Sequence, residues 1–346
     1  MNFFITNREI INAGTASEQI REDGKENAGI DLRFGLYHIS KPKDQQFELF
    51  PDPTKPEELL YTSLDAVKTA DLNGSARFFK AIYDETIKTP KKSSTGVLQG
   101  DIIFFIHGFN TNMDGVRSLF KELNDKYINN PDSSVSHAIV FTWPGKTLNL
   151  PLHYRNDARD AEASGLTLAR CLHSKVIPFM RQFLAIEGNE PCDRKFHLMT
   201  HSMGNRVLEH FVRESIYLDS IHELFDQIIL LAADVEYNLF DPNKTFSDLI
   251  GFGQRIHIYF HEKDGVLDIS KYTKNFNNRL GRYGRKSNNM EAPDIIDANV
   301  SKTKDDTNAK FREREFNHWY YYSSSEVIND IIEVMKGKKK SKYASK

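Results

Sequence analysis

The chain of 346 residues is poor in cysteine, with Cys171 and Cys192 its only thiols. Two cysteines exclude a disulfide-stapled scaffold and a cysteine-ligated metal site. Long apolar runs are also missing. Nothing approaches the roughly 20 residues of a membrane-spanning helix. The opening Met-Asn-Phe-Phe-Ile-Thr-Asn-Arg has no basic segment leading into an apolar one, so no secretory signal is expected. Charge of one sign is not in excess: 46 Lys and Arg face 48 Asp and Glu, for a formal net charge of −2. That balance gives no reason to expect nucleic acid as a partner. The sequence holds no P-loop, no G-x-G-x-x-G and no metal-ligand spacing. The expectation is a cytoplasmic protein that needs no cofactor and no metal. What is present, 39% hydrophobic and 12% aromatic residues, suffices for a substantial core.

Apolar segments divide the chain. Asn2–Thr6 and Leu32–Ile39 read as antiparallel strands at one edge of a sheet, joined by an exposed loop. Lys41–Leu59 is polar and proline-containing, and reads as irregular. Ser75–Ile87 has helical spacing. From Asp101 onward strands and helices alternate: strands at Asp101–Ile106, Ala138–Trp143, Phe196–Met199, Gln227–Ala233 and Arg255–Phe260, with helical stretches after Asn112, over Asp157–Leu184 and after Gly204. This alternation predicts a mostly parallel sheet with helices on both faces. Residues 1–98 read as integrated edge elements and 99–335 as the core, with Lys271–Asn317 a polar insertion. Ser323-x-x-Glu326 is a capping box for the last helix, and the lysine-rich 336–346 reads as a disordered tail.

The chemistry centres on Lys195–Val207, Lys-Phe-His-Leu-Met-Thr-His-Ser-Met-Gly-Asn-Arg-Val. A buried strand breaks at His201-Ser202-Met203-Gly204 and a helix follows at once. A serine at the tip of strand, sharp turn and helix is the nucleophile elbow of α/β hydrolases. One position departs from G-x-S-x-G, where Thr200 replaces the first glycine. A serine nucleophile needs a base, and the base needs an acid to orient it; in this fold they follow in the order Ser, acid, His. Downstream of Phe260 only His261 and His318 remain, and His318, ahead of the last helix, is the favoured base. Asp264 is the favoured acid and Asp234 the alternative, with Asp268 and Glu262 behind them. The oxyanion donors expected are the backbone N–H groups of Met203, directly after the serine, and Phe109, in the loop after His107-Gly108.

A resemblance adds to this reading. Phe-Phe-Ile-Thr-Asn-Arg, Ile-His-Gly-Phe-Asn, Phe-Thr-Trp-Pro, His-Ser-Met-Gly-Asn-Arg-Val, Ala-Ala-Asp-Val, the Asp264 loop, Asn-Arg-Leu-Gly and Asn-His-Trp-Tyr run in that order. Together they resemble the α/β-hydrolase superfamily, and within it a largely uncharacterised bacterial esterase/lipase-like branch. The resemblance implies an α/β-hydrolase fold with a Ser–Asp–His triad and places Ser202, Asp264 and His318 at the motif positions. That branch often lacks the first glycine, which accommodates Thr200. Gly14–Leu98 and Ala292–Phe311 match it less well.

The expected reaction is hydrolysis of a small-molecule or lipid ester through an acyl-enzyme. Lipase, amidase or acyltransferase chemistry on the same triad is the near alternative, and a non-catalytic binding module the distant one. Asn110, Trp143 and Phe240 are candidate substrate-binding residues, with Phe109, Leu148, Leu150 and Tyr154 completing an apolar pocket. Glu236–Gly253 is a candidate cap, with packing on the sheet edge the competing reading, and Arg279 and Arg282 read as solvated.

Overall fold

A computed structural model describes residues 2–22, 28–51, 74–86, 91–145, 152–176, 194–218, 223–271, 277–286, 292–306 and 315–345. Nine strands form its main sheet: β1 (Asn2–Thr6), β2 (Arg33–Tyr37), β3 (Phe47–Leu49), β4 (Asp101–Ile106), β5 (Val135–Thr142), β6 (Phe196–His201), β7 (Phe225–Leu231), β8 (Gly253–Phe260) and β9 (Ile295–Asn299). Their order is β9-β8-β7-β6-β4-β5-β1-β2-β3. Six neighbouring pairs, from β9 through β1, are parallel; β1–β2 and β2–β3 are antiparallel. The sheet is mostly parallel with an antiparallel N-terminal edge, as in α/β hydrolases.

Alternation within the strands explains the layers. Ile103 and Phe105 face one side of the sheet, Phe104 and Ile106 the other. On the Phe104 side pack α1 (Gly74–Thr86), α3 (Leu152–Cys171) and α4 (Gly204–Tyr217), through Phe78, Leu168, Val207 and Phe211. The Phe105 side holds α2 (Met113–Leu123) and α8 (Ser325–Met335), through Val116, Phe120, Ile328 and Ile331. Each such side chain, fully removed from water, contributes roughly 1.5–3 kcal/mol. Three short helices, α5 (Gly265–Ser270), α6 (Leu280–Tyr283) and α7 (Tyr320–Ser323), follow the later parallel strands.

Several expectations are corrected. The polar stretch 271–317 contains β9, the sheet's far edge, and Lys41–Leu59 contains β3. Glu236–Gly253 is packed rather than raised over the site: Leu239, Phe240, Phe246, Leu249 and Phe252 are all buried in the α4-side core. The capping box at Ser323 does not form. The α8 N-cap is Ser324, whose hydroxyl donates to the Lys304 carbonyl, while Asp306 accepts from the Ser325 N–H, so loop residues satisfy the helix start. Residues 336–345 are not a loose tail. Asp330 is buried and accepts from the Tyr259 hydroxyl (2.9 Å), the Ser341 hydroxyl and the Lys342 N–H (2.9 Å). Ala344 then pairs antiparallel with Ala298 of β9. A buried carboxylate that needs donors and an edge strand that needs a partner draw this segment in. Leu148, Leu150, Cys192 and the end of the Asp157–Leu184 helix lie outside the described residues. Among the described residues no helix is long and apolar enough to cross a membrane.

Candidate active site

Parallel strands place their C-terminal ends on one rim, and the loops that follow converge there. After β6 the chain turns at Ser202, whose φ of +52° lies in the left-handed region and is sparsely populated by residues with a Cβ. A side chain at position 204 would put its Cβ 2.5 Å from the Ile106 carbonyl oxygen, and one at 108 would put its Cβ 2.8 Å from Ser202 Cβ, so glycine at both positions lets elbow, helix and loop meet.

The Thr200 departure is explained here. Thr200 Oγ1 donates to Asn205 Oδ1 at 2.7 Å, and Asn205 Nδ2 donates to the Thr200 carbonyl (3.3 Å) and the Ser202 carbonyl (3.1 Å). Asn205 is fully buried, and its amide brackets both sides of the turn. The Ser202 N–H donates to Leu231 of β7, and the Asp234 N–H donates back to the Ser202 carbonyl at 3.1 Å. The strained serine is thus held at both its N–H and its carbonyl.

Asp264 caps α5: its Oδ1 accepts from the Leu267 N–H at 2.9 Å. Its other oxygen, Oδ2, accepts from Nδ1 of His318 at 2.7 Å, with both side chains buried. Burial pushes the Asp264 carboxyl above its ordinary range, against the opposing pull of His318 and the Leu267 N–H. His318 reaches this position just ahead of a segment pinned by three hydrogen bonds. The Tyr320 hydroxyl donates to the Tyr259 carbonyl and accepts from the Ala232 N–H, both at 2.7 Å, and the Tyr127 hydroxyl donates to the Tyr321 carbonyl. The His318 ring lies 4.7 Å, centroid to centroid, from that of His201, the residue before Ser202.

Asp234 also stands at this rim, but its carboxylate is occupied. Oδ1 accepts from Arg279 Nε (2.9 Å) and Ser270 Oγ (2.8 Å), and Oδ2 from the Tyr154 hydroxyl (2.7 Å). Arg279 also donates to the Asp234 carbonyl and is 2% exposed, so it is a buried partner of its own chain rather than a solvated cation. Asp268 pairs with Arg282, and the Glu262 carboxylate accepts from Asn299 Nδ2. His261 is engaged otherwise: its Nδ1 accepts from the Lys263 N–H, and burial lowers its pKa to about 4.

The loop carrying Phe109 is fixed by its neighbours. His107 Nδ1 donates to the Gly108 carbonyl (2.9 Å), and its Nε2 accepts from the Trp143 N–H (3.2 Å). Burial and the nearby Arg8 lower its pKa to about 3, so the ring is neutral and its tautomer set. Arg8, two residues past the end of β1, donates to Thr142 Oγ1 (2.8 Å) and the Thr111 carbonyl (2.6 Å). Neither the Phe109 nor the Met203 N–H finds a hydrogen-bond acceptor among the described residues. Asn110 sits in the turn at φ +54°.

Two candidate substrate contacts are placed elsewhere. Trp143 is fully buried, stacks on His107 at 5.3 Å and donates Nε1–H to the His107 carbonyl, so it supports the loop. Phe240 packs on Phe246 in the core. Phe109 and Tyr154 are in ring contact at 5.6 Å. Arg8, Asn205 and Tyr320 are the residues that sequence reasoning passed over. All three stand inside quoted motifs, but a motif does not say which backbone group a side chain reaches. Among the described residues no group of three His, Cys, Asp or Glu side chains is arranged to hold a metal ion.

The family model "Alpha/beta hydrolase of unknown function (DUF900)" matches residues 86–335. Among solved structures, the chain is similar to "The crystal structure of the putative cell surface hydrolase from Lactobacillus plantarum WCFS1", at 10% identity and a TM-score of 0.30, over 68% of this chain and 90% of that one. No curated protein matches the sequence.

Proposed function

The chain belongs to the DUF900 family of alpha/beta hydrolases, and from that premise we propose that it is a serine hydrolase cleaving carboxylic esters through an acyl-enzyme. The observation that carries this reading is the buried 2.7 Å hydrogen bond between Asp264 and His318, with the His318 ring against the residue that precedes the strained Ser202. Ser202 attacks the ester carbonyl while His318, through Nε2, takes the serine proton. Asp264 holds Nδ1–H, which fixes the tautomer that leaves Nε2 free to accept. A desolvated carboxylate stabilises the transient imidazolium more strongly than a hydrated one does. The N–H groups of Met203 and Phe109, which have no acceptor among the described residues, stabilise the tetrahedral oxyanion. His318 then protonates the leaving alcohol and activates water to release the acid. Asp234, neutralised by Arg279 and bonded by Tyr154 and Ser270, serves as an architectural anion in this reading. The substrate is a small-molecule or lipid ester, and the scheme invokes no cofactor.

A fluorophosphonate probe tests this. The wild type should label covalently at one residue, and Ser202→Ala should abolish labelling while retaining the wild-type melting temperature. A folded wild type that does not label would refute the proposal. Ester turnover with a competing alcohol present then separates hydrolysis from acyl transfer.

A further inference from the structure

The residue ahead of the nucleophile has surroundings that the catalytic scheme leaves unused. His201 closes β6, its backbone paired with Leu231 of β7, and its buried ring contacts two others. The His318 centroid lies 4.7 Å away and the Tyr321 centroid 4.8 Å away. Nε2 of His201 is 3.2 Å from the main-chain carbonyl oxygen of His318. A carbonyl has no proton to give, so His201 is the donor and carries its hydrogen on Nε2. His318 itself lies outside regular structure, between Asn317 at φ +52° and Trp319, the residue before the four-residue α7. Among the described residues no backbone N–H donates to the His318 carbonyl.

We propose that His201 is a positioning residue for His318: its Nε2–H holds the His318 main chain to the rigid end of β6, and its ring supports the His318 imidazole. The inference rests on the triad reading, in which His318 is the base. The end of β6 then serves both reacting partners, Ser202 as the next residue in the chain and His318 through the hydrogen bond from His201. Burial and the nearby His318 push the His201 pKa well below its ordinary value, so the ring stays neutral and remains a donor with one free lone pair. A second cation beside the imidazolium is thereby avoided.

Two variants separate the donor from the ring. His201→Phe keeps an aromatic ring and removes the N–H; His201→Gln removes the ring and keeps an amide donor of similar reach. With p-nitrophenyl acetate as substrate, His201→Phe should lower kcat roughly tenfold, the effect of orphaning one buried carbonyl, with KM changed by less than about twofold. His201→Gln should recover kcat to within about threefold of wild type, an amide donor standing in for the imidazole N–H. A thermal melt checks that both variants fold. Wild-type kcat in both variants, or a Gln variant as impaired as Phe, would overturn the proposal. If wild type and Ser202→Ala prove equally active, the triad reading fails separately, and the downfield Nδ1–H proton resonance of His318 still decides. It should broaden or shift in His201→Phe and not in His201→Gln; no difference between the two would overturn the inference.

Discussion

Asn205→Ala removes the bracket over the elbow, and its cost can be worked from the structure. Three hydrogen bonds disappear: one accepted from the Thr200 hydroxyl and two donated to the carbonyls of Thr200 and Ser202. At about 0.5–1.5 kcal/mol net each, the loss is roughly 2–4 kcal/mol. The two carbonyls do not lose equally, because the Ser202 carbonyl keeps the Asn205 and Asp234 N–H groups as donors. The Thr200 hydroxyl, fully buried, is left without its acceptor. The turn itself stores about 1–3 kcal/mol at a left-handed serine, which the bracket opposes. Urea unfolding should therefore show Asn205→Ala destabilised by about 2–4 kcal/mol with an unchanged m-value. Fluorophosphonate labelling of the folded variant should also slow. Thr200→Val closes a double-mutant cycle, and the two changes should couple by about 1–2 kcal/mol because they share a hydrogen bond. A loss under about 0.5 kcal/mol with normal labelling, or strict additivity, would refute the bracket.

Asp264→Asn should lower kcat/KM by about 10³-fold or more, since the wrong tautomer of His318 is then favoured, whereas Asp234→Asn should act mainly on stability by unpairing buried Arg279; ester kinetics beside thermal melts distinguish them, and the reverse ranking would reassign the acid. Arg8→Ala should lower kcat about tenfold with little change in KM, because the Thr111 carbonyl loses its donor and the Phe109 loop loosens; an unchanged kcat would contradict this. Acid should destabilise the fold. Burial lowers His107 to about 3 and His257 to about 4, so the unfolded chain binds their protons first as pH falls. Their contribution is intact above about pH 6.5 and is lost progressively toward pH 4, at up to about 1.4 kcal/mol per pH unit per residue. Asp264, raised by burial, works in the opposite sense, its contribution shrinking as pH rises above the ordinary carboxylate range. Urea midpoints across pH 4–7 should show this fall, and His257→Leu should flatten it; an unchanged slope would contradict the assignment.

The central strands were legible because burial on both faces leaves near-continuous apolar runs such as Ile102–Ile106. Edge strands are not: β9 has only Ile295, Ile296 and Ala298 to mark it within a polar stretch, and β3 is three residues long. The rim positions of Ser202, Asp234, Asp264 and His318 follow from chain order, but which acid meets which base is decided by loop geometry. Asp234 finds Arg279 45 residues away, and Asp264 finds His318 across 54. No periodicity encodes such pairings. Trp143 and Phe240 show the same limit from the other side: an aromatic residue reads alike in the sequence whether it lines a pocket, supports a loop or packs in the core. The fold-back of residues 336–345 was hidden because a lysine-rich composition says nothing of the buried Asp330 that anchors it.

Trapping the acyl-enzyme interrogates the triad most directly. After a p-nitrophenyl ester is mixed with the protein and quenched in acid within milliseconds, peptide mass mapping should find the acyl group on Ser202 in the wild type, with the adduct absent from His318→Gln and strongly reduced in Asp264→Asn. An acyl group on another side chain, or undiminished acylation without the imidazole of His318, would contradict the account.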